Sequence, residues 1–171
     1  MRQDVWHRLD LLARSILPFF ATLLLILVGM VPLRVPALSP VIPSLVMVAV
    51  YYWTVYKPNL MPLWAVFLIG LFYDLLGGGP VGVGILSLLL LHGLVGGVRR
   101  YMVAASFLTI WLVFAPIAAA AFFAGWALTC LIETRLIDPE PGLFGYLATI
   151  AVYPCLAWLF AQLQRSVYRR A

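Results

Sequence analysis

The sequence predicts an all-α membrane protein with six transmembrane helices and both termini in the cytoplasm. Three observations carry that fold class. First, the chain of 171 residues is 65% hydrophobic and only 10% charged, and its mean hydropathy is +1.07. A soluble domain has roughly 45–50% apolar and about 25% charged residues, so too few polar side chains exist here to coat a water-facing globule. Second, the apolar residues fall into six long runs. Third, the basic residues sit in short clusters between those runs, as the connecting loops of a multi-span protein require. The formal charge of +5 therefore does not point to nucleic acid, and no alternation of basic and aromatic residues supports such a partner.

A spanning helix needs about 20 mostly apolar residues. The runs that meet or approach this are 15–33, 40–56, 63–76, 80–98, 103–132 and 143–163. The first has a basic front like a signal peptide, but its apolar stretch exceeds the roughly 7–15 residues of such segments and no small-residue cleavage site follows, so it reads as a permanent span. The third is short unless it borrows Met61, Pro62 and the glycines after Leu76. The fifth, about 30 residues or ~45 Å as a helix, contains Pro116. Splitting it there gives two halves of about 13–16 residues, each too short to cross, so one long helix is expected. No lengthy polar linker interrupts the runs, which makes residues 1–171 a single integral membrane domain. Residues 1–14 precede the first span. Val5, Leu9 and Leu12 recur there at helical spacing beside Trp6, which suits an interfacial helix. The tail 162–171 is basic enough to touch anionic lipid.

Orientation follows from counting. With six spans, Arg2, Arg8, Arg14, Lys57, Arg99, Arg100, Arg165, Arg169 and Arg170 share one side, while Arg34 and Arg135 lie on the other. The basic-rich side is the cytoplasmic one. Glu133, Asp138 and Glu140 all fall in an outer loop.

Few residues inside the spans carry chemistry. Asp74 lies ~18 Å along the third helix, where an unpaired carboxylate costs several kcal/mol. It can accept hydrogen bonds from the free N–H groups that begin the fourth helix, hold a proton or ion, or meet a polar partner. His92 reads as an interhelical hydrogen-bonding group. Gly77-Gly78-Gly79-Pro80-Val81-Gly82 matches G-x-G-x-x-G formally, yet no strand precedes it. It reads as a tight turn back into the bilayer, in which glycine supplies positive φ. Gly93-x-x-x-Gly97 and Ala121-x-x-x-Gly125 offer small faces on which another helix can pack closely. Cys130 and Cys155 lack metal or redox spacing and read as small packing residues. No catalytic motif, metal-ligand cluster or cofactor-binding pattern is present, so an enzyme is not expected.

Several of these residues form a pattern. Tyr52-Trp53, four residues, and Pro58 are followed by Gly70-Leu71-x-x-Asp74-Leu75-x-x-Gly78-x-x-x-Gly82-Val83. This closely resembles the MreD family of bacterial rod shape-determining inner-membrane proteins. The pattern covers about a fifth of the chain, and Gly77, Gly79 and Pro80 are additions within it. The resemblance implies a non-enzymatic scaffold without cofactor, bound to MreC. Through MreC it would be linked to the RodA glycosyltransferase, its penicillin-binding transpeptidase and MreB filaments, in support of lateral peptidoglycan synthesis. It also implies a fold similar to the S subunits of ECF vitamin transporters. A rival reading is therefore a substrate-capture subunit of a small-molecule transporter, which requires an outward cavity with polar and aromatic walls. A proton-coupled device centred on Asp74 is a third.

Overall fold

The structure, a computed structural model, describes residues 19–27, 29, 44–102 and 105–168, all helix or short connection. The interfacial helix expected over 1–14, the loop after the first span and the last three residues lie outside the described residues. We number the helices α1 (residues 19–27), α2 (Leu45–Tyr56), α3 (Leu63–Gly77), α4 (Val83–Met102), α5 (Phe107–Glu133) and α6 (Glu140–Tyr168), with a 3-10 turn at Pro58–Leu60 between α2 and α3.

Among the described residues, three helices, over Val83–Met102, Phe107–Glu133 and Glu140–Gln162, are long and apolar enough to cross a membrane. At 15 residues α3 extends only ~22 Å, less than a hydrocarbon core of ~30 Å. Pro62 precedes it, its carbonyl accepting from Ala65 and Val66 N–H at 2.9 and 3.2 Å, so α3 gains nothing from Met61. The fourth span, expected from residue 80, begins at Val83 because Pro80–Gly82 form the turn. The fifth, expected from 103, begins at Phe107, where Ser106 Oγ accepts from Thr109 N–H at 3.3 Å as an N-cap. It then runs unbroken through Pro116. The sixth starts earlier and ends later than 143–163.

Contacts fix the topology. Tyr52 packs on Phe160, Thr54 meets His92, and Trp111 meets Ile150. Thus α2, α4 and α6 run in one direction, and α3 and α5 in the other. The turns α2–α3 and α4–α5 share one end with Lys57, Arg99, Arg100 and Arg165. The turns α3–α4 and α5–α6 share the other with Asp74, Glu133, Asp138 and Glu140.

Helix α2 is the centre of the bundle. Every residue from Val46 to Val55 is buried, the expected state of a helix that is apolar all round. Tyr51 is fully buried, packs at a tilt against Phe114 (4.8 Å between centroids) and donates to Ile110 O at 2.7 Å. Phe20, Leu24, Leu112, Phe123, Leu131 and Trp158, by contrast, are more than half exposed on the outside of the bundle. Large exposed apolar side chains in that number suit a hydrocarbon solvent.

Helix α6 contains Pro154. Proline brings no N–H, so the carbonyl four residues back, Ile150 O, loses its intrahelical donor. The Trp111 indole of α5 donates to that carbonyl at 3.1 Å. Tyr146 of α6 donates in return to Ala115 O, next to Pro116, at 3.1 Å. Each helix thus services the other near its proline.

Candidate functional site: the glycine turn, the open face of α4 and the aromatic end

The signature residues occupy both ends of the bundle. At the acidic end, Asp74 in the last turn of α3 is 7% exposed. Its Oδ2 accepts from Gly82 N–H (2.7 Å) and Ile85 N–H (3.3 Å), and its Oδ1 from Gly84 N–H (2.8 Å). Those donors lie at the start of α4, where backbone N–H groups lack intrahelical partners and the helix dipole favours negative charge. Asp74 therefore ties the end of one helix to the beginning of the next, with both oxygens engaged. This is the capping arrangement, in which both carboxylate oxygens already serve the backbone.

Three glycines of the pattern, and Gly84 just beyond it, are required by this geometry. Gly78 (φ +67°) ends α3 in the left-handed region and Gly82 (φ +108°) makes the turn. A Cβ on Gly84 would overlap Asp74 Oδ1, and one on Gly70 would lie 2.7 Å from Ile85 Cα. Two of these glycines bend the chain, and two let carboxylate and backbone approach.

The other half of the signature lies at the basic end. Tyr52 packs on Phe160 (5.0 Å) and Tyr56 (4.6 Å), and Trp53 packs on Phe160 (5.5 Å). Pro58 opens the 3-10 turn. Tyr52, Trp53 and Pro58 are thus not brought to Asp74, since the length of α3 separates them. Trp53 Nε1 and Tyr153 Oη, both buried, have no hydrogen-bond partner among the described residues.

His92 Nδ1 lies 3.0 Å from Thr54 Oγ1. Thr54 gives its hydroxyl proton to Val50 O at 2.7 Å, so the ring nitrogen must be the donor. Seven residues on, Arg99 Nε donates to Val55 O at 3.2 Å in the last turn of α2. The two bonds fasten α2 to α4.

The two small-residue faces have different fates. Ala121 is buried, and a Cβ on Gly125 would lie 2.9 Å from Ser87 Oγ of α4. That face, expected as a candidate for partner packing, is already covered by α4. Gly93 and Gly97 are exposed, and a Cβ at either, or at Gly96, would meet nothing within 4 Å. Cys155, read as a small packing residue, is exposed on the outer side of α6. Cys130 is half-buried and its sulfur accepts from Ile137 N–H at 3.5 Å.

Two cavities went unseen in the sequence, since each gathers residues from distant segments. One, of about 380 Å³, lies between α5 and α6 at the acidic end and includes Phe122, Phe123, Trp126, Leu143 and Tyr146. The polar tips of Trp126 and Tyr146 are turned to Ile137 O and Ala115 O, so its walls present rings and carbon. The other, of about 550 Å³, lies at the basic end between α2, α5 and α6. Among the described residues no three metal-ligating side chains converge.

A bundle with a buried central helix, an apolar exterior and a carboxylate-locked glycine turn defines a helical protein of the membrane class, with its signature residues at turns and helix contacts. Comparison with protein families assigns it further. The family described as rod shape-determining protein MreD matches residues 11–163. The chain belongs to that family, one of membrane proteins that determine rod shape. Comparisons with curated proteins and with solved structures found no match.

Proposed function

We propose that this chain is a non-enzymatic scaffold of the bacterial inner membrane. It crosses the bilayer six times with both termini in the cytoplasm, in a fold like that of ECF S subunits. It binds MreC and thereby supports lateral peptidoglycan synthesis by RodA and its penicillin-binding transpeptidase, in register with MreB. Membership of the MreD family over residues 11–163 is the observation that carries this reading. The open face of α4 supports it. Gly93 and Gly97 lie one turn apart with free space above both, and glycine faces let a second helix come close enough for van der Waals contact and Cα–H···O bonds. The transmembrane helix of MreC is the proposed occupant.

The same free space makes the test clean. A Cβ at either position meets nothing within 4 Å, so Gly93→Leu and Gly97→Leu are expected to leave the bundle folded while projecting into the partner's place. Co-purification of MreC from membranes is expected to fall several-fold for each variant, and rod shape to be lost on complementation. Full recovery of MreC by both variants would overturn the α4 interface. Rod shape preserved after depletion of the protein would overturn the function.

A further inference from the structure

We propose that the cavity at the basic end is a binding site for the headgroup of an anionic glycerophospholipid of the adjacent leaflet. That this leaflet is the cytoplasmic one rests on the orientation proposed above; the site itself does not. The cavity, about 550 Å³, lies where α2 ends, α5 begins and α6 approaches its end, and its walls include Tyr52, Tyr56, Phe107, Trp158, Ala161 and Arg165. Its size is within the range of roughly 300–1,000 Å³ typical of small-ligand sites. Four of those six residues are aromatic, two with hydroxyls and one with an indole N–H. Such side chains settle where apolar and wet surroundings meet.

The chemistry of the walls sets the class of occupant. Trp158 is 66% exposed and Phe107 48%, so the rim opens sideways onto the surface that faces hydrocarbon. Arg165 supplies a fixed positive charge. The described carboxylates, Asp74, Glu133, Asp138 and Glu140, all belong to the opposite end of the bundle, and none of them can neutralise it. The site therefore favours an occupant with a negative group at the level of Arg165 and an apolar body along the rings. A soluble anion lacks the second property and an apolar peptide the first. A phospholipid has both, is already the surrounding solvent, and brings a phosphate that matches the guanidinium fork. Basic pockets between membrane helices bind lipid headgroups on this physical basis.

The test is native mass spectrometry of the purified full chain in detergent, titrated separately with phosphatidylglycerol, phosphatidylcholine and undecaprenyl phosphate of defined composition. One phosphatidylglycerol should bind about tenfold more tightly than phosphatidylcholine, because both carry a phosphate for Arg165 but the choline cation cancels the net negative charge and is repelled by the guanidinium; tenfold corresponds to ~1.4 kcal/mol. Arg165→Gln should abolish that preference and Arg165→Lys should keep part of it. Ala161→Trp should block binding with the charge still in place, and Arg100→Gln, which alters a cation outside the cavity, should leave it unchanged. Equal affinity for the two phospholipids overturns the proposal. So does undiminished binding to Ala161→Trp, or an equal loss in Arg100→Gln, since either reduces the effect to diffuse surface charge. Preferential retention of undecaprenyl phosphate overturns the phospholipid assignment in favour of an isoprenoid carrier. Because the measurement uses the chain alone, its failure leaves the MreC reading standing, and retained lipid binding with lost MreC recovery does the reverse.

Discussion

At the acidic end of the bundle, Asp74 gives both oxygens to three backbone N–H groups and is nearly sealed from its surroundings. At the basic end, Arg165 stands exposed at the rim of an aromatic cavity with no described carboxylate near it. The two ends carry opposite charge and treat it in opposite ways. One uses an ionisable group to close a turn, so that the group is part of the backbone's own hydrogen bonding. The other presents its charge outward. A single ionisable residue in an apolar sequence therefore marks no particular role. Whether its hydrogen-bonding capacity is consumed locally decides between structure and recognition.

This contrast can be broken by substitution. The largest effect is expected at the closed end. Asp74→Ala leaves three N–H groups at the start of α4 without an acceptor, each costing about 1–3 kcal/mol where buried, and stability should drop by ~3 kcal/mol or more. Asp74→Asn retains one acceptor oxygen and should lose less. Thermal unfolding of purified protein in detergent reads both, and an Asp74→Ala variant as stable as the parent would refute the lock. An intermediate effect is expected in the middle of the bundle. Trp111→Phe strands Ile150 O and should cost ~1–3 kcal/mol. Pro154→Ala restores an intrahelical N–H, so the double variant should regain most of that loss. Full additivity of the two substitutions would show that the indole acts elsewhere. The smallest effect is expected at the open end. Arg99→Gln removes a partly exposed cation of α4 from beside the Val55 carbonyl in the last turn of α2 and should cost ~0.3–1 kcal/mol, less at high salt. A loss equal to that of Asp74→Ala would erase the difference between the ends.

Much of the closed end was legible in the sequence because turns announce themselves. Glycine and proline cluster at 77–82, an aspartate stands one turn before them, and only a few geometries satisfy the N–H groups that follow. Helix existence was equally plain, since apolar runs of this length have few alternatives in a membrane protein. Which helix is central was not. The sequence of α2 is apolar on every side, but so are α3 and α5, and only packing shows that α2 is the one enclosed. The small-residue faces teach the same limit. Gly93-x-x-x-Gly97 and Ala121-x-x-x-Gly125 have identical spacing, yet one is open and the other is pressed against Ser87. Spacing specifies a face that can be approached and says nothing of what approaches it. The cavity at the basic end was illegible because Tyr52, Phe107 and Arg165 become neighbours only after three helices assemble.

The indole of Trp111 and the carbonyl that Pro154 leaves free also bear on how the polypeptide is made. Ribosomes deliver α5 before α6, so the donor is already installed when the acceptor emerges. A proline-bearing segment that entered lipid alone would carry an orphaned carbonyl through hydrocarbon, at a penalty of several kcal/mol. Here its remedy waits on the preceding segment, and the pair can leave the insertion machinery as one hairpin.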